Sequence, residues 1–149
     1  MSIQGNIEVS NTTFFEDLTD VLEENIDVTL EAVGLYVSGG AALRAPVDTG
    51  LLRNSLTYAI AGEPPAKSTY KADRANERGE IKTGSYSGST TKVSGEKAVY
   101  VGTNVEYAAY QELGTKKTKK QPFLKPTIEN DLSQIEKMIK AGLKGELTE

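Results

Sequence analysis

Asp48-Thr49-Gly50 is the tripeptide that carries the reactive carboxylate of aspartic proteases, and it is the sharpest chemical signal in the chain. Such an enzyme needs two carboxylates sharing one proton, because like charges about 3 Å apart cannot both ionise. With a single D-T-G, the second carboxylate would come from a partner subunit, as in retroviral-type dimeric aspartic proteases. Those enzymes bring an apolar strand into the tripeptide and follow it with a small residue. Here a helical pattern leads in through Ala45-Pro46, and Leu51-Leu52-Arg53 follows. A three-residue match is cheap. The stronger reading is a turn in which Asp48 or Thr49 caps a short helix through Leu51, Leu52 and Ser55, with Gly50 allowing close backbone approach or positive φ.

The chain has no His and no Cys. That removes Ser-His-Asp and Cys-His catalysis, disulfides, and zinc sites built on nitrogen and sulfur. Carboxylate dyads, carboxylate-bound Mg²⁺ or Ca²⁺, and Lys chemistry survive that filter. Glu106 and Glu112 lack a carboxylate partner at metal-binding spacing. Gly102-Thr103-Asn104 and the glycines around Gly84 lack the layout of a phosphate-binding loop. No catalytic, cofactor-binding or metal-binding residue is assigned.

Charge is unevenly spread over the 149 residues, whose net value is −4. Residues 1–62 carry 2 basic and 9 acidic side chains, residues 63–125 carry 12 and 7, and residues 126–149 carry 3 and 5. An acidic start beside a basic middle could draw one copy to the next, or set a basic loop against nucleic acid. The densest basic run is Lys116, Lys117, Lys119 and Lys120. A nucleic-acid-binding module is weakly supported, since Trp is absent and aromatics are not interleaved with the basic residues.

A single domain over residues 1–149 is expected, in the order helix, turn, strand, loop, strand, short helix, basic loop, helix. Phe15, Leu18, Leu22, Ile26, Leu30, Val33, Val37 and Ala41 recur at three- and four-residue steps and predict a helix over 13–44. Thr13 and Glu16 have capping-box spacing, and Glu16, Asp17 and Asp20 suit a helix start. Strands are expected at Leu56–Ala61 and Lys97–Thr103. Residues 62–96 read as a flexible Gly/Ser/Lys-rich insertion in which Ile81, Tyr86 and Val93 could form a weak hairpin. Val105–Leu113 reads as a short helix stopped by Gly114, with Tyr107 and Tyr110 packing under Phe123-Leu124. Pro122 and Pro126 bracket that apolar pair in an extended segment, and a helix follows over 126–144. The class is α+β: long N-terminal and C-terminal helices on a small, mainly antiparallel sheet. Neither a secretory signal nor an apolar run of membrane-spanning length is apparent.

Three blocks occur in order: P-V-D-T-G-L-L-R-N-S-L (Pro46–Leu56), V-G-T-N-V-E-Y-A-A-Y-Q-E-L-G-T (Val101–Thr115) and Q-P-F-L-K-P-T-I-E (Gln121–Glu129). Their order and gaps resemble the small neck proteins of lambdoid-type tailed phages, described as minor tail components, head–tail joining or tail-completion proteins. Leu113 departs from the pattern where an aromatic is common, and the insert before Lys97 lies where such proteins vary in length. The resemblance implies a non-enzymatic virion protein, made in the host bacterial cytoplasm and needing no cofactor and no membrane. It implies a ring that touches a head-closure or connector protein on one side and tail-terminator or tail-tube proteins on the other. Sixfold symmetry is expected from phage tails, not from these residues. Pro46, Asp48, Thr49, Gly50, Tyr107, Tyr110, Glu112, Gly114, Pro122, Phe123 and Pro126 then take structural roles. Lys116, Lys117, Lys119 and Lys120 become candidates for partner contact, or for contact with DNA in the channel.

Overall fold

The structure, a computed structural model, describes residues 12–91 and 97–146, with side chains from Leu22 onward. Helix α1 (Thr12–Arg44) is the spine of the molecule. The Thr13–Glu16 capping box, the acidic first turns, Phe15 and Leu18 all fall outside the described side chains. Farther along, the stripe is as expected: Val33 is 9% exposed, Val37 4% and Ala41 0%. Ala45 donates the last helical bond to the Ala41 carbonyl at 2.9 Å, and Pro46 then keeps Ala45 out of helical geometry.

Two elements clasp this spine. Strand β1 (Thr57–Ile60) pairs antiparallel with the strand Val99–Gly102, with Thr57 opposite Gly102 and Ile60 opposite Val99. This ribbon lies against α1 at Gly34, where an added Cβ would stand 2.6 Å from the Tyr58 ring and 2.8 Å from Val99. On another face of α1 lies the C-terminal helix, at Gly142, whose position leaves no room beside Thr29. Glycine at both crossings lets large neighbours approach the backbone. Val33, Val37 and Ile135 form one apolar cluster there, with Tyr36, Val99, Val101 and Met138 around it. A second cluster at the end of the spine joins Ala41, Ala45, Leu52, Leu56, Val105, Ala108 and Phe123.

The segment expected to be a flexible insertion carries a second hairpin. Strand β2 (Thr69–Lys71) pairs antiparallel with β3 (Thr83–Ser85), which leaves β4 as the label for Val99–Gly102. Tyr70 and Tyr86 stack with ring centroids 5.5 Å apart, so two aromatics supply the core that the segment's composition hides. Ile81 is 55% exposed and takes no part, and Val93 lies outside the described residues.

The expected C-terminal helix is two helices. After α2 (Leu51–Ser55) and α3 (Ala108–Leu113) come α4 (Leu124–Asn130) and α5 (Leu132–Leu143), broken at Asp131. Phe123-Leu124 is therefore not extended: Leu124 opens α4, and Pro126 sits in its first turn, where a missing N–H costs nothing. Arg44 reaches the break, with Nη1 3.2 Å from Thr127 Oγ1 and 3.5 Å from Asp131 Oδ2.

A further correction concerns α1. Leu22–Arg44 is long and apolar enough to cross a membrane by length and composition, with a third of it buried. Sequence reading missed this because no block of large apolar residues marks it. Ala32 to Leu43 is mostly Ala, Gly, Val and Leu, with Tyr36 and Ser38 among them and not one charged side chain.

The glycines of α1 give opposite expectations. Gly34→Ala should destabilise by about 1–3 kcal/mol through overpacking against Tyr58 and Val99. Gly39→Ala, whose Cβ meets nothing within 4 Å, should stabilise by about 0.5–1 kcal/mol. Denaturant unfolding of the two variants checks both signs.

Candidate functional site

The D-T-G corner is held by N–H donors of Asp73 and Arg74 on its own carbonyls. Gly50 adopts φ 89° and precedes α2 directly, with no side-chain cap. The expectation that Asp48 or Thr49 caps α2 is thus corrected. Gly50 takes the cap position because a left-handed residue is needed there, and Thr49 Oγ1 only reaches the Leu51 N–H at 3.4 Å. The carbonyl of Thr49 accepts from the Asp73 N–H at 2.8 Å and the Arg74 N–H at 3.0 Å. Arg74 also donates to the Asp48 carbonyl at 2.5 Å. Asp48 itself is exposed.

Asp73, which sequence reasoning did not single out, organises this corner. Its carboxylate accepts from Asn54 Nδ2 at 2.9 Å and from Arg53 Nη2 at 2.5 Å. Those hydrogen bonds, Asn54 first and then Arg53, hold its carboxyl below the usual carboxylate range. Asn54 also donates to the Lys71 carbonyl at 2.9 Å. The L-L-R-N-S stretch therefore grips the β2–β3 hairpin. A Cβ at Gly50 would collide with Asp73, a second reason for glycine there.

The second block is tied to the first through buried hydroxyls. Ser55 Oγ and Thr103 Oγ1 lie 2.6 Å apart, and the Tyr86 hydroxyl donates to the Ser55 carbonyl at 2.6 Å. Asn104 donates to the Ser85 carbonyl at 2.9 Å and accepts from the Tyr70 hydroxyl. Burial pushes the Tyr70 phenol up, with Tyr86 and Tyr107 adding to the effect.

Glu112 joins the second block to the third. Its Oε2 accepts from the N–H groups of Phe123 at 2.7 Å and Leu124 at 3.1 Å, and its Oε1 accepts from Lys125 at 2.9 Å. A carboxylate from α3 thus satisfies donors at the start of α4 that have no partner within that helix. Burial acts to raise the Glu112 carboxyl, but the three backbone donors and Lys125 outweigh it and hold it below its ordinary value. Phe123 is consequently fixed at 1% exposure, and Thr127 Oγ1 donates back to its carbonyl at 2.6 Å.

The tyrosines do not lie where expected. Ala108 and Val105 pack with Phe123, while Tyr107 is 39% and Tyr110 57% exposed. Helix α3 begins at Ala108, later than predicted, so its small residue faces the core and its rings face out. Burial raises the Tyr107 phenol, a Leu52 backbone bond opposes this, and Asp48 raises it further. Gly114 ends α3 with φ 79°, its N–H bonded to the Tyr110 carbonyl. The basic run after it is an ordered turn. Thr115 Oγ1 accepts from the N–H groups of Lys117 at 3.2 Å and Thr118 at 2.9 Å, and Gln121 donates to the Gln111 carbonyl at 2.7 Å. Pro122 is half-buried beside it.

These pieces enclose a cleft of about 710 Å³ that runs from Pro46–Leu52 past Tyr107 and Gln111 to Lys117 and Lys119. Pro46, Asp48, Thr49 and Gly50 thus converge with Tyr107, Lys117 and Lys119, whereas Lys116, Lys120, Tyr110, Glu112, Gly114, Pro122, Phe123 and Pro126 do not line this cleft. A second groove, of about 880 Å³, lies along α1 and β1 and is lined by Glu23, Glu24, Asp27 and Glu63 among others. Among the described residues, no group of three or more His, Cys, Asp or Glu could hold a metal ion.

Residues 12–114 match the family described as "Bacteriophage HK97-gp10, putative tail-component". The chain belongs to this family. The matched span includes α1, the corner, both hairpins and α3 through Gly114. The Phe123 block and the last two helices lie beyond it. No curated protein and no solved structure matches significantly. Family membership agrees with the resemblance read from the three blocks and makes the chain a relative of structural phage tail components.

Glu112→Gln should destabilise the fold by about 1–3 kcal/mol by leaving helix-start donors poorly satisfied. Because the folded carboxyl lies below its unfolded value of 4.5, its contribution is fully present above that pH. It is lost as pH falls through the folded value. Unfolding curves at neutral pH and below pH 4 should therefore differ less for the variant than for the native chain. Asp73, depressed in the same direction, retains its own share.

Proposed function

We propose that this chain is a non-enzymatic structural protein of the virion at the phage head–tail junction. It forms a ring, sixfold by analogy with tails, that joins the head-closure or connector protein to the tail-terminator or tail-tube proteins. It is made in the host cytoplasm and functions in the assembled neck. The family match supports the virion role. The observation that carries the structural reading is the use of the D-T-G corner. Its carbonyls are engaged by Asp73 and Arg74, and its glycine is wedged beside Asp73.

The lysine turn admits two uses in a neck. Facing the channel, Lys116, Lys117, Lys119 and Lys120 would meet DNA phosphates. Facing a neighbour, they would meet acidic side chains. The ordered turn supports either use, and the acidic groove on the same chain favours the second.

Loss of this chain from its phage should yield DNA-filled heads and free tails in electron micrographs of lysates. Intact joined particles would sink the reading. Asp48→Asn should restore full titre on complementation, whereas a protease role would leave it inactive.

A further inference from the structure

We propose that the outward face of α1 is the docking surface for a second copy of this chain, entered by that copy's Leu113–Lys120 end. This rests on the neck reading above and names the surfaces that reading leaves open.

The spine is more apolar than its own domain uses. One side is covered by α5 at Thr29 and Val33, and another by β1 and β4 at Gly34. At 100° per residue, Val28, Leu35, Gly39 and Leu43 fall together on the remaining side. Leu35 is 64% exposed and Leu43 88%, and between them Gly39 leaves open space. Such a strip, smooth at its centre and apolar on both sides, matches the core of a protein interface.

Charge identifies the occupant. Toward the start of this face Glu24 falls within about 20° of Leu35, while Glu23 and Asp27 turn toward the β1 side, and all three line the acidic groove that borders the strip. Asp27 pairs with Lys97 at 3.3 Å, and the two glutamates have no ion pair among the described residues. On the other surface Leu113 is 76% exposed, and the ordered Lys116–Lys120 turn follows it. None of its four lysines has an ion pair among the described residues. An apolar knob with a basic rim therefore fits an apolar strip with an acidic rim. About twenty residues of α1 separate Glu24 from the corner beside the turn, a rise of roughly 30 Å. The two surfaces are different, so the contact is heterologous and repeats head to tail, closing into a ring where the rotation between copies permits. The turn is already held by Thr115, so little ordering accompanies docking.

The chain has no cysteine, so introduced thiols are the only ones present. Leu35→Cys, Leu113→Cys and the double variant, purified at full length and checked by circular dichroism, are treated with a short bis-maleimide. The double variant should give a ladder on denaturing gels. The two single variants should give a dimer when mixed and stay monomeric apart. Replacing the four lysines by Glu in the double variant should cut the ladder at least tenfold. Dimers from one single variant alone would indicate face-to-face packing and overturn the proposal, as would the absence of a ladder. Protection of the Leu35→Cys thiol by anionic phospholipid vesicles, with no ladder, would assign the face to a bilayer instead. Incorporation of the double variant into purified particles reports on the neck reading separately, because it does not depend on the cross-link.

Discussion

The carboxylate of Glu112 is the contact on which the far end of the molecule depends. It bridges α3 to the first turn of α4 and meets three N–H groups that helical geometry leaves without acceptors. Without it, the chain entering α4 would bring unsatisfied donors to the edge of the core that Phe123 fills. With it, Phe123 is buried against Ala41, Ala45 and Leu52, and the corner after α1 gains its floor. The Gly114 turn and the Thr115 bonds then follow from geometry, since the chain must reverse between the carboxylate and the helix it caps.

Asp73 plays a parallel part on the other side of the corner. It binds Arg53 and Asn54 while its main chain, with that of Arg74, holds the Thr49 carbonyl. Two carboxylates outside the D-T-G therefore perform the polar work near it, and the aspartate within it contributes its carbonyl. This explains how a tripeptide known for catalysis serves here as a corner. The close approach needs Gly50, and nothing in the clamp requires the Asp48 side chain.

What could be read from the sequence was local or periodic. The buried stripe at Val33, Val37 and Ala41 follows the helical repeat, β1 and β4 follow β-branched and aromatic content, and the stop at Gly114 follows positive φ. The misses were contacts between residues far apart. Asp73 lies inside a stretch whose composition suggests a loop, and its importance comes from Arg53 and Asn54 some twenty residues earlier. Tyr70 and Tyr86 are too widely spaced to announce a hairpin. The break at Asp131 leaves the apolar spacing of Ile128, Leu132 and Ile135 intact, so periodicity alone could not reveal two helices. Phase also misled: starting α3 at Ala108 turned Tyr107 and Tyr110 outward, and Val105 and Ala108 pack with Phe123 in their place.

The length of α1 sets the remaining physical problem. A helix of 33 residues is packed by the β1–β4 ribbon and by α2, α4 and α5, yet Leu35 and Leu43 stay exposed. Its two covered sides are fitted closely, through glycines at Gly34 and Gly142. An isolated domain could reduce the exposed strip by replacing Leu35 and Leu43 with polar residues, as an outward helix face ordinarily has. Retaining leucines there costs solubility without improving the fold of a single copy. That cost is offset when the face is covered in an assembly, where burying each side chain gains about 1.5–3 kcal/mol. Binding that favours the folded chain also raises its stability by mass action. A spine more apolar than its own domain covers is thus the form expected of a chain in which the proposed contact between copies buries Leu35 and Leu43.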